Sequence, residues 1–456
     1  MCATLGFLGL TGTTRGIAAS ESLPPEAYET LDAIVTGKVQ GSPEISGLQM
    51  VVIRDGKPVF THATGLARVD TGESIPLTLD HKMRIASISK LVATIGLMKL
   101  VEKGEVDLDA DVSDYLGFTL RNPNFPHDKI TLKTVLSHSS SIRDASYYWL
   151  KVGEKFEDFF RPGGAHYENG AHFASGEGKE PGAFFTYSNL NFGIMAGVIE
   201  KVSGKRFDRY MREEVLLPLG LGASYNVCDV TTTNPDGMAT LFRKRDDDGN
   251  WHPEGDWQPQ LDSKRFSCTY GMEPVGRGEQ PGPVLEGYKP GDNPTAFSPQ
   301  GGLRASAKDL TKIARLLLGG GEVDGVRLLS PESVKMMATP VWRYNPAAEN
   351  ANTTGEDINP DGPSKGLMQA YGLSTHIAHL PEWGLDEDRT LTGHLGDAYG
   401  LMGQFWIDFE NGDALIALIT GTADDPAPGS GVTPMYRAED EVLRWWLHWF
   451  PPNGEN

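Results

Sequence analysis

Apolar and polar positions change rhythm several times along the chain. Between Pro25 and Lys38 the apolar residues recur at helical spacing. Leu48–Ile53 and Val59–Ala63 are short apolar runs on either side of Asp55-Gly56, a pair suited to a two-residue hairpin turn. The chain therefore opens helix, strand, strand. From Ser87 to Val101 the residues Leu91, Ile95, Met98 and Val101 return at intervals of three and four, and Lys103-Gly104 supplies a stop, which predicts a helix. Further helices are predicted at Leu132–Ser137, at Leu190–Val202 ending at Gly204, at Phe207–Leu217 ending before Pro218, and at Ala307–Leu317 behind a capping box of Ser306 and Asp309. After Gly400 the rhythm shortens again: Leu401–Phe409 and Ala414–Thr420 predict strands joined through Asn411-Gly412. Tyr436–Phe450, with Leu443, Trp446, Leu447 and Phe450 on one face, predicts a closing amphipathic helix.

Two stretches, Tyr147–Gly182 and Asp229–Pro299, are rich in Gly, Pro, Asp and aromatic residues without period and are expected to be long loops around a site. No internal repeat is present. Strands near both ends with helices between them predict an α/β (α+β) fold: one antiparallel sheet flanked by terminal helices, carrying an inserted all-helical domain. On this reading residues 25–80 and 300–456 form the sheet domain, residues 81–299 the helical domain, and the interface between them the cleft.

Composition narrows the class. At 456 residues and 39% hydrophobic content the chain buries a large core, so a globular enzyme is the default. The formal net charge of -20 repels nucleic acid and anionic lipid, which leaves small molecules or short peptides as partners. Cys2, Cys228 and Cys268 are too few for a disulfide framework and lack metal-ligand spacing; one bridge, Cys228 to Cys268, is compatible with the count. Residues 1–20 hold an apolar run from Ala3 to Leu10 followed by small residues at Ala18 and Ala19. That pattern fits a secretory signal without its basic start, giving a periplasmic or secreted enzyme, with a disordered start to a cytoplasmic one as the alternative. It is too short for a membrane span. The oligomeric state has no signature.

The chemistry starts at Ser87-Ile88-Ser89-Lys90, where the only S-x-x-K of the chain opens its strongest helix. Residues three apart share a helix face, so the Lys90 amine can lie beside Ser87 Oγ and favour loss of its proton, as does the positive end of the helix. A serine hydroxyl needs such help at neutral pH. The plainer alternative is that Ser87 caps the helix and Lys90 is solvated. Ser89 is a poorer nucleophile candidate because it points elsewhere. Tyr187-Ser188-Asn189 precedes the next long helix: a phenol near a cation can serve as base for Ser87 and acid for a leaving group, while Asn189 can hold a carbonyl. Tyr167-Glu168-Asn169 is a weaker rival, and an ordinary core tyrosine is the plain alternative for Tyr187. The third element is His394-Leu395-Gly396, followed by Asp397, where glycine lets a strand approach a ligand closely, as an oxyanion hole of main-chain N–H groups requires.

In this order S-x-x-K, Y-x-N and H-x-G resemble the active-site motifs of class C β-lactamases and their relatives: DD-peptidases, D-aminopeptidases, penicillin-binding proteins and family VIII carboxylesterases. The phrases PGAFFTYSNLNFGIMAGVIEKVSG and SPQGGLRASAKDLTKIARLLL look like segments of that superfamily, and the resemblance covers most of residues 28–450. It implies the same fold, and it implies roles. Ser87 would be the acylated nucleophile, Lys90 and Tyr187 the base pair, Asn189 a substrate ligand, and the backbone N–H groups of Ser87 and Asp397 the oxyanion hole. His394 would assist Tyr187 and the substrate. The usual Lys-Thr-Gly at the third motif is here His394-Leu395-Gly396, which removes the cation and hydroxyl that favour a β-lactam carboxylate.

The function expected is therefore cleavage of an ester or amide through an acyl-enzyme, by a β-lactamase-like peptidase, amidase or esterase. The alternatives are a carboxylesterase with weak β-lactamase activity and a penicillin-binding-like sensor or scaffold that turns nothing over. A different hydrolase class is disfavoured by the lack of any G-x-S-x-G. Metal catalysis is disfavoured too, since His376 and His379 would face opposite ways on a strand, and no cofactor is called for. The aromatic residues Tyr147, Tyr148, Trp149, Phe156, Phe159 and Phe160 suit either an apolar substrate pocket or ordinary packing.

Overall fold

A computed structural model describes residues 23–70, 73–233, 237–262, 285, 287–351, 366–425 and 431–452; the leader-like residues 1–20 and Cys268 lie outside them. Helix α1 (Pro25–Val35) leads into β1 (Gly47–Arg54), β2 (Lys57–Asp70) and β3 (Glu73–Pro76). Helix α2 (Ile88–Glu102) follows, then α3 (Leu190–Ser203) and α4 (Ala307–Leu318). The second set of strands is β4 (Trp342–Arg343), β5 (Ala370–Tyr371), β6 (His376–His379), β7 (Thr390–Ala398), β8 (Leu401–Asp408) and β9 (Asp413–Ile419), and α5 (Arg437–Trp449) closes the fold. Together they form a nine-stranded antiparallel sheet in the order β4-β5-β6-β7-β8-β9-β1-β2-β3. The first and last strands of this sheet in chain order lie side by side within it, where Leu48 pairs with Ile419 and Val52 with Leu415.

Both faces of this sheet are covered, and the alternation along each strand shows it. Leu48, Met50 and Val52 of β1 join one core with Leu415, Ala417 and Ile419 of β9 and the α1 and α5 side chains Leu31, Leu443, Trp446 and Leu447. Val51 and Ile53, with Ala414, Ile416 and Leu418, join a second, larger core under α2 and α4. The turn at Asp55-Gly56 has the two positive φ angles, 50° and 68°, that a two-residue hairpin of this twist requires. The β8–β9 connection, residues 409–412, begins one residue earlier than expected: the Asp408 carboxylate accepts the backbone N–H groups of Glu410 and Asn411 and ends the strand before Phe409.

Two helices depart from their sequence expectation. The predicted Phe207–Leu217 helix is an α-helical turn (Phe207–Met211) that widens into a π-helical one (Arg212–Leu216) before Pro218. Helix α2 is buried nearly all round instead of on a stripe, because it lies between the sheet and the helices that contain Leu190–Ser203 and Phe207–Met211. Its polar residues are therefore internal, and they have partners: Ser89 Oγ accepts from Leu303 N at 3.1 Å, and Thr94 Oγ1 donates to Ser374 Oγ at 2.7 Å. Among the described residues no helix is long and apolar enough to cross a membrane.

Candidate active site

The chain enters α2 through a forced turn. Strand Met83–Arg84 pairs with Arg304–Ala305, Ile85 N bonds to Leu303 O, and Ala86 then takes a φ of 45°, a left-handed conformation costly for a residue with a Cβ. Ser87 follows as the residue before the first helical position, and its side chain makes no capping bond to the helix amides. The hydroxyl is left for something else. Ile85, Ala86 and Ile88 are buried around it, while Ser87 itself is half-buried and lines a cavity of about 360 Å³.

Lys90 answers for that hydroxyl. It is fully buried, and Nζ lies 2.8 Å from Ser87 Oγ, 2.8 Å from Asn189 Oδ1 and 3.1 Å from the Gln300 carbonyl. Three acceptors match the three N–H donors of an ammonium group, which a buried lysine requires. The same atom stands 4.8 Å from the Tyr187 ring centroid and 5.3 Å from that of Phe192. A solvated Lys90 and a helix-capping Ser87 are thereby excluded.

Tyr187 and Asn189 are fixed by two residues from an earlier segment. Asp144 accepts four hydrogen bonds: from Ser188 Oγ and Leu190 N on one oxygen, and from Asn189 N and Asn189 Nδ2 on the other, all at 2.8–2.9 Å. The carboxylate thus serves as the cap of α3, at the end where helix amides favour an anion, and it turns the Asn189 amide so that Oδ1 faces Lys90. His138, fully buried in a left-handed conformation at φ 57°, accepts from Ser188 N at 3.0 Å and stacks on the Tyr187 ring at 4.2 Å between centroids. Burial, then the nearby Lys90 charge, holds the His138 imidazole well below its ordinary pKa, so it is neutral. Tyr167, the rival, packs on the core instead, against Phe173.

The third wall is β7. A Cβ on Gly396 would sit 2.6 Å from the Ile85 carbonyl and 3.3 Å from Ile88 Cγ1, so only glycine lets the strand touch the chain on both sides of Ser87. His394 and Asp397 both line the cavity. His394 Nδ1 donates to the Leu395 carbonyl, so Nε2 is the acceptor and takes a hydrogen bond from Tyr371 OH at 2.7 Å. Burial and the Lys90 charge keep this imidazole neutral as well. Its hydrogen bonds therefore go to Tyr371 and the backbone, not to Tyr187, whose ring is 6.3 Å away. With His138 and His394 neutral, Lys90 carries the positive charge of this cluster.

Of the six aromatic residues expected near the site, only Tyr148 lines the cavity. Phe156, Phe159 and Phe160 belong to the core, Trp149 faces solvent, and Tyr147 bonds to His166. His376 and His379 part as expected, the first buried against the Leu367 carbonyl and the second on the surface beside Asp388. The residues that the motifs did not disclose are Asp144, His138, Tyr371 and Gln300. For His138, Asp144 and Gln300 the one signal in the sequence is a polar side chain in an aperiodic segment between predicted helices, and Tyr371 gives none.

A family model described as Beta-lactamase matches residues 31–431. A putative D-alanyl-D-alanine carboxypeptidase of Escherichia coli O157:H7 is 24% identical over 407 residues, 78% of this chain and 84% of that one. A D-aminopeptidase of Brucella anthropi is 30% identical over 186 residues, which are 40% of this chain and 32% of the relative, so the match spans about a third of that protein's length. Among solved structures, the octameric penicillin-binding protein homologue from Pyrococcus abyssi aligns with a TM-score of 0.61 at 20% identity, over 92% of this chain and 77% of that one.

Proposed function

Since the chain belongs to the β-lactamase family, we propose that it is a serine hydrolase that cleaves a small ester or amide, or a short peptide, through an acyl-enzyme on Ser87. The observation that carries this reading is the buried Lys90 amine 2.8 Å from Ser87 Oγ at the wall of a cavity. As Ser87 Oγ bonds to the substrate carbonyl carbon, its proton passes to the Tyr187 oxygen, which acts as the base in its ionised form beside the Lys90 ammonium. The backbone N–H groups of Ser87 and Asp397 take the charge that develops on the carbonyl oxygen. The same proton then leaves with the departing amine or alkoxide, and water cleaves the acyl-Ser87 ester in a second round. Asn189, held by Asp144, contacts the substrate and orients Lys90. His394 acts as a neutral wall of the site.

Catalysis by this constellation, and not a silent scaffold, is supported by the closeness of all its parts. Leu395 in place of a hydroxyl-bearing residue supports acyl substrates other than β-lactams. The test is a fluorophosphonate probe read by intact mass. The wild-type chain gains one adduct and Ser87→Ala gains none; an unlabelled wild type, or a labelled Ser87→Ala, overturns the proposal. Esters, D-amino acid amides, D-Ala-D-Ala peptides and nitrocefin then rank the substrate classes.

A further inference from the structure

Arg84 is a buried cation at the wall of the catalytic cavity, 9% exposed and three residues ahead of Ser87. Two of its five N–H donors are spent: Nε donates to the Gly301 carbonyl at 2.8 Å and Nη2 to Ser298 Oγ at 2.7 Å. Nη1 makes no hydrogen bond within the described residues and is not walled in by them, so it opens on the cavity. Three N–H groups therefore remain for a ligand. The charge is unmatched as well. Asp262 is the carboxylate whose charge reaches Arg84, and Arg304 already holds both of its oxygens, at 3.3 Å each. Among the described residues, one carboxylate between two buried guanidinium groups leaves a positive charge over, and a buried charge without a counter-charge is costly.

The two acidic residues of the cavity do not supply that counter-charge. Asp397 accepts from Tyr436 OH at 2.7 Å and feels the Arg243 charge, and Glu439 is kept uncharged by burial, then by Asp397. The place of Arg84 along the site is a second, independent observation. Its guanidinium lies over the Tyr399 ring, 5.1 Å from the centroid, and Tyr399 follows the last residue of β7. Tyr187, the acid for the leaving group on the hydrolase reading, stands near His394 instead, further back on that strand. At roughly 3.3 Å per residue, His394 and Ala398 are about 13 Å apart, with the Asp397 N–H between them. A substrate whose carbonyl oxygen sits at Asp397 and whose leaving group meets Tyr187 thus extends its acyl part towards Arg84.

We propose that Arg84 forms an anion subsite on the acyl side of Ser87, which receives a carboxylate carried by the acyl group of the substrate. The proposal rests on the serine-hydrolase reading of the same cavity and names a substrate class for it: esters and amides of small dicarboxylic acids with one acid group free. A carboxylate fits because the planar guanidinium offers parallel N–H groups to its two oxygens. Tyr399 covers one face of the guanidinium, which leaves the edge to the ligand. The cavity, about 360 Å³, admits a ligand of that size.

The experiment compares p-nitroanilides of succinic, glutaric and adipic acid with their uncharged counterparts of equal chain length, the butyryl, valeryl and hexanoyl anilides. The full chain is used at fixed ionic strength, alongside fluorophosphonate labelling. The expected result is kcat/KM at least tenfold higher for one carboxylated member than for its counterpart, and Arg84→Gln brings that ratio towards one. Moving the carboxylate to the leaving group, in the valeryl anilide of an amino-nitrobenzoic acid, gives no gain over the plain valeryl anilide. Should the variant fail to fold, or should no anilide be cleaved, the wild type decides: a monoamide of one of the diacids slows labelling of Ser87, and the uncharged amide of equal length does not. Absence of labelling sinks the hydrolase reading itself. Labelling without any preference for a carboxylated acyl group, a gain from the leaving-group carboxylate, or a ratio unchanged in folded Arg84→Gln sinks the anion subsite and leaves the hydrolase standing.

Discussion

Asp144 is the residue whose loss tests the site most sharply, because it touches neither Ser87 nor Lys90. Its two oxygens receive two hydrogen bonds each, and Asp144→Asn keeps the shape while turning one oxygen into an N–H₂ group. With the new N–H₂ turned to Asn189, two donors meet two donors; turned the other way, the Ser188 hydroxyl can rotate to accept, so the side facing Asn189 is the one that tests the anchor. Hydrogen bonds to a charged group contribute about 1.5–3 kcal/mol each, so losing two costs about 3 kcal/mol or more of a total stability on the order of 5–15 kcal/mol. The functional effect is separate. Without its anchor the Asn189 amide rotates, Oδ1 leaves Lys90, and the amine no longer has a fixed position beside Ser87. A misplacement of about 1 Å is worth on the order of a hundredfold in rate. Thermal unfolding measures the first effect, and the fluorophosphonate labelling rate, taken well below the melting temperature, measures the second. Ser188→Ala is the control: it removes one of the four bonds, lowers stability by about 1.5–3 kcal/mol, and leaves the Asn189 anchor and the labelling rate in place. If Asp144→Asn melts lower but is labelled at the wild-type rate, the carboxylate is only a helix cap and its orienting role is refuted.

Tyr187→Phe keeps the stack on His138 but removes the phenol, and turnover falls on the order of a hundredfold or more with KM little changed; an intact kcat means another group is the base. Gly396→Ala places a methyl group against the Ile85 carbonyl, so circular dichroism stays that of a folded chain while acylation drops at least tenfold; wild-type acylation would show that β7 needs no such close approach. Glu200, buried between Phe207 N, Tyr288 OH and Gly291 N, has its pKa raised by burial from 4.5 to about 7. The folded state therefore keeps a proton that the unfolded chain has lost, and the stability this contributes below pH 4.5 is lost as pH rises to 7, by about 3 kcal/mol. Melting temperature falls across that window, and in Glu200→Gln it falls less; equal slopes would rule the linkage out.

Much of this architecture was legible because it depends on local patterns. Asp55-Gly56 demands positive φ, the Ser306 and Asp309 capping box forms as spelled, and S-x-x-K is one helical turn, so these could be read from adjacent residues. What escaped depends on distance along the chain. Asn189 gives α3 no side-chain cap of its own, and the Asp144 carboxylate that replaces it comes from 45 residues upstream. His394 was identifiable as a site residue, but the choice between Tyr187 and Tyr371 as its partner rests on how β5 and β7 register in the sheet, which no local pattern encodes. The aromatic loops stayed ambiguous for a related reason: Phe156 and Phe159 have a composition that suits a pocket or a core, and burial against neighbouring helices decides for the core.

The pairing of β1 with β9 sets the order in which this molecule can come into being. Leu48 has to wait for Ile419 to be synthesised before the middle of the sheet exists, and β7, whose glycine presses on the turn at Ser87, is likewise made late. Closing so long a loop makes assembly slow relative to a chain rich in local contacts. A nascent polypeptide that stopped short of β7 would hold the S-x-x-K helix without the strand whose glycine presses on it, so the two walls of the cavity come together only once both ends of the sheet exist.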